Sequence, residues 1–243
     1  MSSAANPLPD LARPDVGAAL FSTWSVGTPE RQRATVEAFA ASWDNRPWPS
    51  PELLSQNLYV GTDGDTLMHH AQWTSEEAYH EFVRTQRRQR VDEIDAAVPG
   101  IKRNGIARYQ RYRGFDTRTE GDPRVPGCIA VIEIDFDNPD PDLRRTWIDL
   151  VIEALETDPD PSPGLISADF HLIVDGDRHL ATDRARALNY AQWTSEEAYD
   201  AALASSAPGV GSVTPQWERI RRFPGFKGST IKRYRFERGF VPR

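Results

Sequence analysis

The sequence contains little sulfur, since its 243 residues include one cysteine and two methionines. A lone cysteine, Cys128, excludes an intrachain disulfide and a thiolate cage for a metal ion. No apolar run approaches the roughly 18 residues needed to span a membrane. The N-terminus also lacks the basic start and apolar core of a secretory signal. Together these absences predict a soluble protein of the reducing cytoplasm.

Signatures of metal and cofactor chemistry are missing too. Of the five histidines, His69 and His70 are neighbours in a predicted strand, so their side chains point to opposite faces. The other three, His80, His171 and His179, lack the spacing with acids that is typical of a metal site. The sequence also has no P-loop, no glycine-rich dinucleotide fingerprint and no G-x-S-x-G elbow. We therefore predict no metal and no cofactor.

Positive charge is in deficit, because 36 acidic residues outnumber 29 lysines and arginines and give a net charge of -7. An acidic chain is a poor partner for a phosphate backbone. A basic run from Arg84 to Arg90 stands out, but it falls on a predicted helix, where it is interpreted as a solvated face. We expect neither a nucleic acid nor a membrane as partner.

Two segments of the sequence occur twice in the same order. The nine residues Ala71–Tyr79 return unchanged at Ala191–Tyr199, an offset of 120. Residues 99–115 match residues 224–240 at nine of seventeen positions. Chance does not produce two such matches in order, so the sequence indicates a duplicated domain.

Each copy begins with a strand and a helix. The strands are predicted at Ala18–Val26 and Cys128–Phe136. Thr28-Pro29 and Asp140-Pro141 follow them, each offering an N-cap and then a proline at the first helical position.

A hairpin, a second helix and a last strand complete each copy. The hairpin turns are Asp63-Gly64-Asp65 and Asp175-Gly176-Asp177, and the second copy carries an insertion at 178–184. Capping boxes then start the second helices, pairing Thr74 with Glu77 and Thr194 with Glu197. The last strands are predicted at Ile106–Tyr112 and Ile231–Phe236.

The predicted fold class is therefore α+β, with two tandem ferredoxin-like (β-α-β-β-α-β) domains. A four-stranded sheet with helices on one face must bury its other face, and the second copy supplies the cover. We expect an intrachain pseudo-dimeric α+β barrel. The predicted parts are a flexible tail at 1–15, a first domain at 16–116, a linker at 117–126 and a second domain at 127–243.

The strand before each repeated tryptophan predicts a site. Because side chains alternate along a strand, Asn189 and Trp193 share one face, about 13 Å apart at ~3.3 Å per residue. A flat polycyclic ligand could bridge that distance. Tyr199 begins the next helix and is expected to lean over the same face, and His69 and Trp73 occupy the matching strand positions in the first copy.

The stretch from Asn189 through Trp193 to Tyr199 resembles the antibiotic biosynthesis monooxygenase family of the dimeric α+β barrel superfamily. These are small, cofactor-free oxygenases of aromatic polyketide pathways, and the resemblance covers both repeats. It implies that Asn189, Trp193 and Tyr199 are catalytic. The first copy keeps Trp73 and Tyr79 but has a histidine in place of the asparagine.

That departure leaves two interpretations of the first copy, a degenerate scaffold half or a site that uses His69 as a base. We predict that Trp24, His69, Trp73 and Tyr79 bind substrate. The resemblance implies an enzyme that oxidises a polycyclic aromatic polyketide, of anthrone or hydroquinone type, to a quinone or hydroxylated product with O2 in antibiotic biosynthesis.

Other functions remain open on the same scaffold. A cyclase or isomerase would use the same acid–base groups without oxygen, and a non-catalytic protein would only bind ligand. Haem degradation needs an iron-ligating histidine on the helix after the tryptophan, where the first copy offers only His80 and the second copy offers none. Two copies of the whole chain are also expected to be able to pair as a homodimer.

Overall fold

A computed structural model describes residues 8–174, 185–205 and 211–242. The predicted turn Asp175-Gly176-Asp177, the insertion at 178–184 and the first seven residues of the predicted tail lie outside the described residues. The strands are β1 Ala18–Ser25, β2 Leu53–Gly61, β3 Thr66–Trp73, β4 Lys102–Asp116, β5 Cys128–Phe136, β6 Leu165–Ile173, β7 Arg186–Trp193 and β8 Phe226–Phe240.

The helices follow the strands in nearly the predicted order. A π-helical turn, Val83–Arg87, joins the second helix to the third, and the short sixth helix was not predicted. Within the described ranges, no helix is both long and apolar enough to cross a membrane. The helices are α1 Pro29–Asp44, α2 Glu76–Phe82, α3 Arg88–Ala97, α4 Pro141–Thr157, α5 Glu196–Ser205 and α6 Pro215–Arg221.

The strands form one closed barrel in the order β1-β3-β2-β8-β5-β7-β6-β4. The predicted fold class, two tandem ferredoxin-like domains with separate sheets packed face to face, is therefore wrong. The physical reason is the length of β4 and β8, which extend over 15 residues each. Each is long enough to pair with two neighbouring strands. The hydrogen-bonded ladder therefore continues instead of ending at a sheet edge.

One compact unit contains the described chain up to Tyr109 and the segment from Tyr234 onward. In this unit β3 lies between β1 and β2, and both pairings are antiparallel. The first half of β4 pairs with β1, and the end of β8 pairs with β2, where Gln56 lies opposite Phe240. The last seven residues of β8 thus complete the sheet of the first unit.

The other compact unit contains the described residues between Gln110 and Arg233. Its central strand is β7, which pairs antiparallel with β5 and β6. Cys128 lies opposite Trp193 in this unit, as Ala18 lies opposite Trp73 in the first. Both central strands are therefore held at the same register relative to their tryptophan.

The helix starts follow the predicted chemistry with one correction. Thr28 caps α1 by accepting a hydrogen bond from the backbone of Arg31, and Asp140 caps α4. The predicted caps of the second helices, Thr74 and Thr194, are wrong by one residue. Ser75 and Ser195 accept the capping bonds instead, because a serine at this position reaches the free N–H three residues on.

A buried amide ties α1 to the β2–β3 hairpin. The side chain of Gln32 donates to the carbonyl oxygens of Gly61 and Thr66 at 3.0 and 2.8 Å. The turn between them is closed by Asp63, whose carboxylate accepts from the backbone of Thr66. A buried carbonyl that loses its donor costs about 1–3 kcal/mol, so Gln32 stabilises the hairpin that ends at Trp73.

We therefore expect Gln32→Met to lower the free energy of unfolding by roughly 1–3 kcal/mol, because methionine fills the space without donating. Urea denaturation measures the change. Glu37→Met is the matched control, since it places the same residue on an exposed position of the same helix. Equal stability of the two variants would contradict the role assigned to the amide.

Candidate functional site

A cavity of about 250 Å³ lies in the second unit and is called the C-terminal cavity here. Asn189, Ala191 and Trp193 of β7 line it, as the alternation of the strand predicts. Tyr199 of α5 lines it as well. The structure therefore brings together the three residues that were predicted to be catalytic.

The two aromatic side chains form a fixed corner of this cavity. Their ring centroids are 5.1 Å apart with the planes at 65°, an edge-to-face contact. Trp193 is 7% exposed and Tyr199 is 4% exposed. The rings are thus held by packing before any ligand binds.

Two buried polar atoms of the lining have no hydrogen-bond partner among the residues that the structure describes. The Oδ1 of Asn189 and the Nε1 of Trp193 are buried and accept or donate no hydrogen bond within the described part of the chain. A buried polar group without a partner costs about 1–3 kcal/mol. A ligand with phenol and carbonyl groups would satisfy both atoms, since the amide of Asn189 can present either its oxygen or its NH2.

The hydroxyl of Tyr199 is a hydrogen-bond donor rather than a base. Burial raises the pKa of Tyr199 to about 12, and the nearby positive charge of Arg233 offsets this only in part. The phenol therefore keeps its proton at any physiological pH. It can donate to an oxygen of a ligand and can stabilise negative charge that develops there.

Sequence reasoning missed an acidic residue of this cavity, Asp158, which follows the end of α4. Its Oδ2 accepts hydrogen bonds from Trp217 Nε1 at 2.9 Å and from Ser212 Oγ at 2.8 Å. Gly211 makes room for this arrangement, since a Cβ there would lie 1.9 Å from the Trp217 ring. The carboxylate is therefore held in place in the wall of the cavity.

A signal for this corner was present in the sequence. Thr214-Pro215 repeats the cap-and-proline pattern of Thr28-Pro29, and it starts α6. The pattern would have predicted that helix and the placement of Trp217 on it. No local pattern marks Asp158, because its role depends on a contact with a residue 59 positions later.

A second cavity of about 310 Å³ lies in the first unit and is called the N-terminal cavity. Trp24, His69, Trp73 and Tyr79, the residues predicted to bind substrate, all line it. None of them lines the C-terminal cavity. The structure thus divides the seven predicted residues between two cavities, one in each unit.

His69 is packed among rings rather than in a polar site. It is 6% exposed, with ring centroids 4.1 Å from Trp24 and 4.7 Å from Phe39. Burial, followed by the positive charges of Arg103 and Arg87, lowers the pKa of His69 to about 3. The imidazole is neutral near pH 7 and is a weak proton acceptor, which disfavours the interpretation of His69 as a base.

The described residues contain no group of three or more histidine, cysteine, aspartate or glutamate side chains that could hold a metal ion.

Comparison with known proteins identifies the fold but not the family. No family model matches the sequence, and no curated protein matches it. Among solved structures, an anthrone oxidase-like protein superimposes with a TM-score of 0.70 at 14% identity, over 97% of this chain and 96% of that one.

Two further structures superimpose less closely. A candidate monooxygenase from Lactobacillus acidophilus gives a TM-score of 0.54 at 10% identity, over 93% of this chain and 100% of that one. A chlorite dismutase variant from Candidatus Nitrospira defluvii gives 0.50 at 10% identity, over 93% of each chain. At these identities the similarity shows a shared fold and no specific activity.

The buried imidazole predicts a pH dependence of stability. Because the pKa of His69 is lower in the folded chain than its ordinary value of about 6.5, the unfolded chain binds the proton first as the pH falls. Stability should therefore decrease between pH 6.5 and pH 3, by up to about 1.4 kcal/mol per pH unit.

Urea denaturation at pH 7, 6, 5 and 4 measures this loss, and His69→Gln should show less of it than the parent chain. His80→Gln is the control, because it removes a histidine whose side chain is 42% exposed. This variant should lose as much stability at low pH as the parent chain does. Parallel stability curves for His69→Gln and the parent chain would contradict the prediction.

Proposed function

We propose that the chain is a cofactor-independent monooxygenase that oxidises a phenolic polycyclic aromatic compound, of anthrone or hydroquinone type, in the C-terminal cavity. One observation carries the proposal: the unpaired polar atoms of Asn189 and Trp193 line one aromatic cavity together with Tyr199. The similarity of the fold to an anthrone oxidase-like protein supports it. The reaction belongs to aromatic polyketide metabolism, as the sequence resemblance implies.

The chemistry balances without a cofactor for an anthrone. The substrate loses a C–H proton and becomes an electron-rich anion, which passes one electron to O2. The carbon radical and superoxide join in a C–O bond, and the peroxide takes up a proton. Loss of the second C–H proton with cleavage of the O–O bond releases water and leaves a carbonyl, so one anthrone and one O2 give one quinone and one H2O.

The side chains of the cavity have distinct tasks in this scheme. The carboxylate of Asp158 accepts the C–H proton, because it is an anionic group held in the wall by Trp217. Tyr199 donates to the oxygen on which the enolate charge develops. Asn189 orients the phenol, and Trp193 donates its indole N–H to the peroxide.

The remaining wall residues exclude bulk water from the reaction. The lining is mainly apolar, and a site without bulk water strengthens each hydrogen bond to the anion. The cavity is slightly smaller than the usual ligand pocket of about 300–1,000 Å³, which favours a compact planar substrate. The apolar wall residues include Ile132, Ile134, Val151, Leu155, Leu165 and Phe170.

We expect Asn189→Ala, Trp193→Phe and Tyr199→Phe each to lower kcat by about 10- to 1,000-fold. The assay is oxygen consumption with 1,8-dihydroxyanthrone, measured above the uncatalysed rate. Trp48→Phe and Tyr112→Phe are the controls, because their polar atoms bond to Leu53 and Asp149 and neither residue lines this cavity. Unchanged turnover in all three cavity variants would overturn the proposal.

Asp158→Asn should lower kcat by about 100-fold or more, since the amide cannot accept the proton. Asp160→Asn is the matched control, because Asp160 belongs to the same lining but is exposed. A similar loss in both variants would show that a general change of charge, and not proton transfer, explains the effect.

Isotope labelling distinguishes oxygenation from isomerisation. Under 18O2 one labelled atom should appear in the quinone and one in water. An isomerase or cyclase would keep its rate without oxygen, so activity in an anaerobic assay would contradict the proposal. A chain that binds 1,8-dihydroxyanthrone and never turns it over would be a binding protein.

A further inference from the structure

The N-terminal cavity has a charge that the C-terminal cavity lacks. Three arginines, Arg87, Arg90 and Arg103, line it, and among the described residues its lining contains no carboxylate. The lining of the C-terminal cavity has Asp158 and Asp160 and, in the part of the chain that the structure describes, no arginine, lysine or histidine. The two cavities therefore suit ligands of different charge.

Arg90 is a buried cation that forms no ion pair within the described residues, and the one carboxylate whose charge acts on it, Glu93, is already paired with Arg46. It is 4% exposed, and its guanidinium lies 4.3 Å above the ring of Trp43. Its terminal nitrogens donate to the backbone carbonyls of Ser42 and Pro47, and its Nε has no partner within the described residues. Burying an unpaired charge is costly, and an anion in the cavity would relieve that cost.

Arg87 reaches the same cavity because of the π-helical turn. The turn shifts the phase of the helix, so the basic run does not form one solvated face as the sequence indicated. Arg84 and Arg88 pair with Glu81 and Asp92 on the surface. Arg87 makes no ion pair or hydrogen bond within the described part of the chain and lines the cavity.

Arg103 lines the wall of the cavity but adds little net positive charge to it. Its guanidinium forms a two-bond pair with Asp95, at 2.8 and 3.2 Å, and lies 4.7 Å from the ring centroid of Trp24. Its charge is therefore largely balanced. Arg87 and Arg90 supply the positive charge of the cavity that no ion pair of the described residues balances.

The other walls suit a flat ring. Six aromatic side chains line the cavity, and their faces and edges can stack on a planar ligand. His69 adds a neutral imidazole with both nitrogens unpaired within the described residues. It can donate one hydrogen bond to an oxygen of the ligand. The aromatic lining comprises Trp24, Phe39, Trp43, Trp73, Tyr79 and Phe82.

We propose that the N-terminal cavity is a second binding site, selective for a planar aromatic carboxylate whose carboxylate is held by Arg87 and Arg90. Guanidinium groups match the two oxygens of a carboxylate in one plane, and the apolar walls strengthen such charge-assisted bonds. The volume of about 310 Å³ lies at the lower end of the range for ligand sites. The site does not depend on the reaction proposed for the C-terminal cavity.

The test compares two probes of one shape with the full chain. Calorimetry should show that 2-naphthoate binds, and that 2-naphthamide, which lacks the charge, binds at least tenfold more weakly. Arg87→Met and Arg90→Met should each lower the affinity for 2-naphthoate by roughly 10- to 100-fold and leave the affinity for 2-naphthamide unchanged. Arg84→Met is the control, because it removes a charge of the same run that pairs with Glu81 on the surface.

Three results would overturn the proposal. One is equal affinity of the parent chain for the two probes, and another is the absence of 2-naphthoate binding. The third is unchanged 2-naphthoate affinity in Arg87→Met, a variant that removes no hydrogen bond or ion pair of the described residues and so should fold normally. If Arg90→Met fails to fold, Arg87→Met and the comparison of probes still decide the question. Loss of oxygenase activity is not a readout here, so the two proposals fail independently.

Discussion

Backbone hydrogen bonding along both edges of β3 and β7 is the constraint on which both cavities depend. Each strand lies between two antiparallel neighbours, so it cannot rotate or slip without breaking two ladders. A slip of one residue would exchange Asn189 for Tyr190 and His69 for His70 on the cavity face. The ladders therefore fix which side chains meet a ligand, and the helices only close the space above them.

Charge is what distinguishes the two cavities, and it comes from outside the matching strands. The helical segment after Trp73 contributes arginines, whereas the cavity that contains Trp193 draws its acids from the segment that follows α4. The arginines of one cavity and the acids of the other lie in surroundings of low dielectric. An unbalanced charge there attracts or repels a charged ligand more strongly than it would at the surface. A common strand geometry can thus serve ligands of unlike character when its flanking segments change.

The sequence predicted what depends on local periodicity. Alternation along a strand placed Asn189 and Trp193 on one face, and threonine or aspartate followed by proline marked the starts of α1 and α4. It did not predict the closed barrel, because the ends of β4 and β8 are strands only by virtue of partners far away in the chain. It also missed Asp158, whose position is set by Trp217.

The pairing of β2 with the end of β8 has a consequence for the order in which the protein forms. Gln56 pairs with Phe240, so one edge of β2 has no partner until the segment that forms the end of β8 has been synthesised. An unpaired strand edge is a site for association with other chains. During synthesis this edge of β2 is therefore open to association with other chains until β8 covers it.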